Sequence, residues 1–304
     1  MSAGTLGITG VTGFVGQAVL SRAVADGWHV RALARSPQAE IEGVTWVRGA
    51  LDTPEALIDM AIGCDAILHI AGVVNAPDAA GFEAGNVAGT LSVVEAAKSA
   101  GVARFIHVSS LAAREPQLSN YGASKAKAEA IVTASGLDWT IVRPPSIYGP
   151  GDRDNLEIFK MAKRGIVMMP PAGRISLIQV DDLARLLLVL IAENQTWGQI
   201  YEADDGMLGG WSHSGFAKAV GWAVGGRVTT VALPKLALMA AARADRFLRG
   251  SKARLTPDRV NYFCHPDWVI DPARAVPPDI WKPQIATRAG LKATAEAYRL
   301  AGWL

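Results

Sequence analysis

Tyr121 and Lys125 stand four residues apart in the segment Tyr121-Gly-Ala-Ser-Lys125. On a helix, residues at that spacing share a face, so a phenol and an ammonium can meet. A nearby cation favours phenolate over phenol and lowers a tyrosine pKa from its ordinary value near ~10. The pair therefore suits general acid–base transfer at neutral pH. Alone, such a spacing is weakly specific. It gains weight from its place, after a glycine-rich turn and eleven residues beyond Ser110 of the Ser109-Ser110 pair.

The turn reads Thr9-Gly10-Val11-Thr12-Gly13-Phe14-Val15-Gly16, between a β-rich run and a helical pattern. Gly10 permits the tight turn, Gly13 lets backbone approach a pyrophosphate, and Gly16 lets helix pack on strand. Thr12, Gly13, Phe14 and Val15 then bring the free N–H groups of a helix start to the phosphates. At the end of the second strand, an NAD site usually presents a carboxylate to the ribose 2′-hydroxyl. Here Arg35-Ser36 stands instead, with Arg31 nearby. A guanidinium pairs bidentately with a 2′-phosphate. NADP is the expected cofactor, with NAD the alternative.

The elements that must position these groups alternate. Strand patterns fall at Thr5–Thr9, at residues 28–34, at Val44–Arg48, at residues 66–70, at Arg104–Val108 and at residues 139–142. Helical patterns separate most of them, including Asp52-Thr53-Pro54-Glu55 as a capped helix start, residues 82–99, and a helix from Tyr121 to about 134. Such alternation requires a doubly wound parallel sheet with helices on both faces, a Rossmann α/β fold. Beyond Pro144 the rhythm breaks into Pro- and Gly-rich loops. Residues 1–148 are thus expected to form the dinucleotide-binding domain, completed by about 175–203. Within that completion, 175–180 reads as a strand, Asp181 or Asp182 as a helix cap, and Gln199–Glu202 as a strand returning to the main sheet. Residues 149–174 and 204–304 are expected to form a smaller C-terminal substrate lobe.

Composition narrows the function class. Of 304 residues half are apolar, and the net charge is only +2 with both signs interspersed, so no nucleic-acid footprint stands out. The two cysteines and five scattered histidines show no metal-ligand spacing, and no metal is expected. His69 and His107 fall on strands and read as core or cofactor-adjacent residues. No apolar segment is long enough for an integral membrane span, and a cytoplasmic setting is expected. The stretch Val231–Arg249 is apolar at its start and cationic at its end. It reads first as a lid or wall of an apolar substrate pocket, with membrane-surface docking or a homodimer contact as alternatives.

Taken together, these motifs resemble the extended or atypical short-chain dehydrogenase/reductases, which include epimerase/dehydratase-like and 3β-hydroxysteroid-dehydrogenase-like proteins. The resemblance covers nearly the whole chain. It rests on TGVTGFVG, HIAG at His69–Gly72, NVAGT at Asn86–Thr90, HVSS at His107–Ser110, YGASK, RPPSIYGPGD from Arg143, VDD at Val180–Asp182 and the GWL ending. It implies that Tyr121 exchanges the proton with a substrate oxygen, that Lys125 lowers its pKa and binds the nicotinamide ribose, and that Ser110 steadies that oxygen. It also implies that Ala71, Gly72, Asn86, Ser109, Leu51 and Pro144 line the cofactor, and that Ser146 faces substrate. Two departures stand out. Gly49-Ala50-Leu51 lacks the Asp that contacts adenine in many relatives, and the Ser110–Tyr121 connection is shorter than in sugar epimerases.

The expected function is an NADP-dependent oxidoreductase acting on a small or apolar carbonyl or alcohol, with a small molecule as substrate. The alternatives are an NAD-dependent sugar-nucleotide epimerase or dehydratase, and a non-catalytic NADP-binding assembly subunit like the accessory subunit of respiratory complex I.

Overall fold

A computed structural model describes residues 4–250, 253 and 255–304. The first half runs β1 (Thr5–Thr9), α1 (Phe14–Ala25), β2 (His29–Ala34), β3 (Val44–Arg48), α2 (Pro54–Ala61), β4 (Ala66–His69), α3 (Ala79–Phe82), α4 (Gly89–Ser99), β5 (Arg104–Val108), α5 (Asn120–Thr133) and β6 (Asp138–Arg143). The second runs β7 (Ser146–Tyr148), α6 (Leu156–Lys163), β8 (Ile166–Met169), β9 (Arg174–Ile175), β10 (Leu177–Gln179), α7 (Val180–Ala192), β11 (Gln199–Glu202), β12 (Trp211–Ser212), α8 (His213–Ala223), β13 (Thr229–Ala232), α9 (Lys235–Arg249), α10 (Pro257–Phe263), β14 (Asp267–Trp268) and α11 (Thr287–Leu300).

Seven strands form one sheet in the order β3-β2-β1-β4-β5-β6-β11, every pair parallel. This is the doubly wound fold that the alternating pattern requires. Its strand order reverses between β1 and β4, which is where such sheets bind ligands at their carboxyl ends. The core beneath is continuous: Leu57 and Met60 of α2 and Val93 and Val94 of α4 pack with Ile67, Phe105 and Ile141 of the sheet. Each fully buried side chain of this size stabilises by roughly 1.5–3 kcal/mol. The strand Gln199–Glu202 joins the sheet beside β6, as its pattern predicts.

Two local departures have clear causes. The run at 175–180 breaks at Ser176, whose buried hydroxyl donates to Asp204 (2.6 Å) and accepts the Ile270 amide (3.2 Å). The two halves then pair outside the large sheet, β9 with β12 and β14, and β10 with β7. The start of α7 is capped by Gln179, whose side-chain carbonyl accepts the Asp181 and Asp182 amides. Asp182 is not the cap that its sequence position suggests. It is buried and accepts the amides of Gln284 (3.0 Å) and Ile285 (2.9 Å), tying down the segment before α11.

The chain divides into two compact units. The first holds the described residues up to Pro144 with Leu183–Glu202 and Val276–Trp281; the second holds Pro145–Asp182, Ala203–Ala275 and Lys282–Leu304. The second unit has its own core of Tyr148, Phe159, Leu177, Phe216, Leu291 and Tyr298. Within it α9 packs on α10, with Ala242 as its buried residue, while Leu236, Phe247 and Leu248 are exposed. Of the large apolar side chains of this helix, expected to wall an apolar pocket, these three thus face outward, while Leu238 and Met239 are half-buried.

Candidate active site

The site residues of the first unit gather at the carboxyl ends of β1, β4 and β5. Gly10 follows β1 with φ +77°, a left-handed conformation that disfavours other residues. A Cβ there would lie 2.5 Å from the Ala71 nitrogen, so the turn after β1 and the segment after β4 nearly touch. A Cβ at Gly16 would lie 2.1 Å from the Gly10 carbonyl oxygen, so only glycine lets α1 start this close. At Gly13 the nearest atom is 3.3 Å away, and the outer side of the turn is open. No side chain caps α1, and no acid stands in its first turn. An anion therefore meets uncapped N–H groups at Phe14 and Val15, beside Thr12. This cradle fits a dinucleotide pyrophosphate.

Thr9 and His69 lock the cradle from beneath. The Thr9 hydroxyl accepts the Ala71 amide (3.3 Å) and bonds His69 Nδ1 (2.7 Å), while His69 Nε2 bonds Thr90 of α4 (3.1 Å). Burial, with a smaller contribution from Lys125, pushes the His69 pKa down to about 3, so the ring stays neutral. His107 is also buried and held well below the ordinary range, first by burial and then by Lys125 and His69. The reading of both histidines as core or cofactor-adjacent residues agrees with this placement.

Helix α5 is capped by Ser119, which accepts the Gly122 amide at 3.0 Å. That cap sets the helix start so that Tyr121 and Lys125 fall on its inner side. Lys125 is 4% exposed, and its Nζ donates to the Val108 carbonyl at the end of β5 (2.8 Å). A Cβ on Gly72 would approach Lys125 Nζ to 3.5 Å and Asn86 Oδ1 to 3.0 Å, so Gly72 runs directly beside both. Burial lowers the Lys125 pKa to about 8, with Glu129 opposing the shift. Tyr121 is half-buried, its ring 6.1 Å from that of Phe82.

Asn86 sits where the helix beginning at α3 switches to a π-helical segment, Glu83–Ala88, before continuing as α4. Its amide clamps Val73 on both sides, accepting the N–H at 2.6 Å and donating to the carbonyl at 2.9 Å. It also donates to Ser124 (2.8 Å), which in turn donates to the Tyr121 carbonyl (2.8 Å). One buried amide thus ties the chain after β4 to the turn of α5 that carries the phenol.

Ser110 has extended backbone, and its hydroxyl accepts the Ala112 amide (3.2 Å) at the start of the 3₁₀ turn Leu111–Arg114. Pro144 follows β6, and its carbonyl accepts the Leu111 amide (3.0 Å), which brings it beside that turn. Ser109 points elsewhere: its hydroxyl donates to Glu129 at 2.5 Å. Leu51 packs on α4, 2.7 Å from where a Gly89 Cβ would be. Ser146 lies in β7 of the second unit.

Sequence reading missed the ion network behind this group. Arg143 donates twice to Glu129 (2.8 and 2.6 Å), and Glu202 stands 3.6 Å from both Arg143 and Arg114. Burial works against the Arg143 charge, but Glu129 and Glu202 more than offset it and its pKa rises. The signal was present in part: Glu129 lies four residues beyond Lys125, on the same helical face. Its partners were not visible until β6 and β11 paired, which sets Arg143 opposite Glu202.

Just beyond β2, Arg35 is exposed. Arg31 is not available there. It is held by Asp59 (2.9 Å) and by the carbonyls of Asp59 and Met60. Arg48, at the end of β3 in register with Ala34, supplies a second exposed cation at these strand ends instead. Among the described residues no group of three or more His, Cys, Asp or Glu is placed to hold a metal, and no helix is long and apolar enough to cross a membrane.

Residues 10–193 match a protein-family profile described as NAD(P)H-binding. Over 99% of this chain and 96% of the relative, the sequence is 35% identical to a ceramide reductase from Caulobacter vibrioides. It is 32% identical, over 66% of this chain and 67% of the relative, to a 4-hydroxy-2-methyl-3-oxo-4-farnesyl-3,4-dihydroquinoline-1-oxide ketoreductase from Stigmatella aurantiaca. The solved structure of MoeE5 in complex with UDP-glucuronic acid and NAD has the same fold, with TM-score 0.74, 21% identity, and coverage of 98% of this chain and 100% of that one. The chain belongs to the NAD(P)H-binding family of extended short-chain dehydrogenase/reductases. It is an NAD(P)-dependent oxidoreductase of that type.

Proposed function

We propose that the protein is an NADPH-dependent reductase of a carbonyl on a long-chain, ceramide-like lipid, with Tyr121 as its proton donor. What supports this reading is Lys125, held beside Gly72 and the end of β5 one helical turn from Tyr121, in a chain 35% identical over nearly its full length to a ceramide reductase. The second relative named above also reduces a ketone on a molecule bearing a long apolar chain.

A nicotinamide dinucleotide, when bound, supplies the hydride. The rest belongs to this chain. The glycine turn and the start of α1 hold the pyrophosphate, and Leu51, Ala71, Gly72, Asn86 and Pro144 bound the remainder of the cofactor site. Arg35, with Arg48, would meet the 2′-phosphate at the strand end where an NAD site usually carries a carboxylate, which supports NADP over NAD. Ser110 donates a hydrogen bond to the substrate oxygen. Tyr121 gives that oxygen its proton as negative charge develops on it. Lys125 makes the phenol more acidic and holds ribose hydroxyls with the ammonium protons not taken by Val108. With a pKa of about 8, Lys125 is mostly charged at pH 7 and loses that charge above pH 8. The alkaline limb of kcat/KM should therefore fall near pH 8.

The test is oxidation of NADPH and NADH by the purified chain with long-chain keto-lipids. Tyr121→Phe should lower turnover by about 10²–10⁴-fold while cofactor binding persists. Arg35→Ala should weaken NADPH about ten- to a hundredfold relative to NADH, the scale of a lost charge-assisted pair. Unchanged turnover in Tyr121→Phe would sink the mechanism. Thermal stabilisation by UDP- or dTDP-sugars but not by NADPH would replace it with a sugar-nucleotide epimerase or dehydratase. Absence of NADPH oxidation across a broad carbonyl panel, together with co-purification in a large complex, would replace it with a non-catalytic subunit.

A further inference from the structure

Helix α9 presents an apolar stripe to solvent. Opposite its buried residue Ala242, the side chains of Leu236, Ala240, Ala244 and Phe247 follow one another at helical spacing, with Leu248 alongside. Leu236 is 84% exposed, Phe247 90% and Leu248 78%. The strand pair whose second strand precedes the helix in the chain also exposes apolar side chains. Met168 of β8 and Val231 of β13 are partners in register and are 55% and 41% exposed. Large exposed apolar side chains grouped in this way mark an interaction surface.

The cations on the rest of the helix and just before β13 identify what it meets. Between residues 227 and 249 the chain carries Arg227, Lys235, Arg243, Arg246 and Arg249 against one carboxylate, a formal +4 in a protein whose total is +2. The carboxylate, Asp245, accepts the Leu255 amide (2.9 Å) and pairs with Arg249 (3.2 Å). All five cations are exposed, and the exposed Lys163 and Arg164 stand just before β8. A second copy of the chain laid on this face would bring like charges together. A nucleic acid would pair the cations but leave the stripe in water. An anionic bilayer satisfies both, taking the apolar side chains at the acyl boundary and the cations at its headgroup phosphates. With fifteen residues, α9 is too short to span a bilayer and suits lying in its plane.

We infer that α9 and the β8–β13 strand pair form an interfacial surface that docks the protein on an anionic phospholipid membrane. This goes beyond the reductase reading and needs neither cofactor nor turnover.

The test is flotation of the purified full chain with phosphatidylcholine vesicles, with and without phosphatidylglycerol. Binding is expected with the anionic vesicles and should weaken with added salt. The double variant Leu236→Glu/Phe247→Glu should bind at least about tenfold more weakly, and Arg243→Gln and Arg246→Gln about fivefold each. Far-UV circular dichroism and NADPH affinity should not move in any of them, which separates docking from folding and from the cofactor site. Absence of flotation, or flotation that the double variant leaves intact, would overturn the proposal. Sedimentation showing a dimer that the double variant splits, with no vesicle binding, would assign the face to a second copy instead.

Discussion

Helix α5 buries Ser124, Lys125 and Glu129, whereas α9 exposes Leu236, Phe247 and Leu248. Both invert the usual partition of polar and apolar side chains, and the two inversions differ in cost and in what sustains them. A buried ammonium or carboxylate persists only when partners replace its water. Lys125 has the Val108 carbonyl, and Glu129 has Ser109 and two donors on one edge of Arg143. An exposed leucine or phenylalanine needs no partner to persist; it forgoes burial energy that a bound surface can later supply. Polar groups inside therefore indicate a site already assembled within the fold, and apolar groups outside indicate one completed by something else.

Substitutions can break or sharpen this contrast. The largest effect is expected from Lys125→Met, which should lower turnover by about 10³-fold or more. The same change should raise the stability of the cofactor-free protein. The Lys125 pKa falls to about 8 from an ordinary 10.5, so the fold disfavours its charged form, and that cost is fully present below pH 8. It fades as pH rises from 8 to 10.5, because over that window the unfolded chain binds more protons than the folded one. The gain in Lys125→Met, on the order of 1–3 kcal/mol in chemical denaturation at pH 7, should shrink accordingly toward pH 10. A loss of stability at pH 7 would mean that the ammonium holds the fold together.

Glu129→Ala should destabilise by about 3 kcal/mol, since it takes both short hydrogen bonds from the half-buried Arg143 and leaves it only Glu202 at 3.6 Å. Asn86→Ala removes the clamp on Val73 and Ser124 and should cost about 1–3 kcal/mol, with kcat falling because the Tyr121 turn loses its tether. The smallest change belongs to α9. Phe247→Glu should alter the free energy of unfolding by less than about 0.5 kcal/mol, as expected of a surface position. If its denaturation midpoint fell as far as that of Glu129→Ala, the claim that α9 is built for an outside partner would not stand.

Much of the site was legible because its chemistry is local. The glycine turn needs small residues within one stretch of chain, and the phenol and ammonium need only one helical turn. The π-helical segment at Asn86 was not legible, because no periodicity in that stretch separates it from an ordinary helix. Arg31 and Arg48 show the same limit. Both are arginines on neighbouring strands, and only the packing of α2 and the register of β3 on β2 decide that Asp59 takes the first while the second ends β3 in register with Ala34.

The sequence by itself determined the alternation of strands and helices, the phosphate turn, and the Tyr121–Lys125 pair, since each follows from spacing along a single segment. Tertiary structure alone decided which carboxylate meets which guanidinium, that Ser109 turns to Glu129, and that α9 faces outward. Those outcomes depend on contacts between segments far apart in the chain. Their free energies are set by burial and register, which no single stretch of sequence contains.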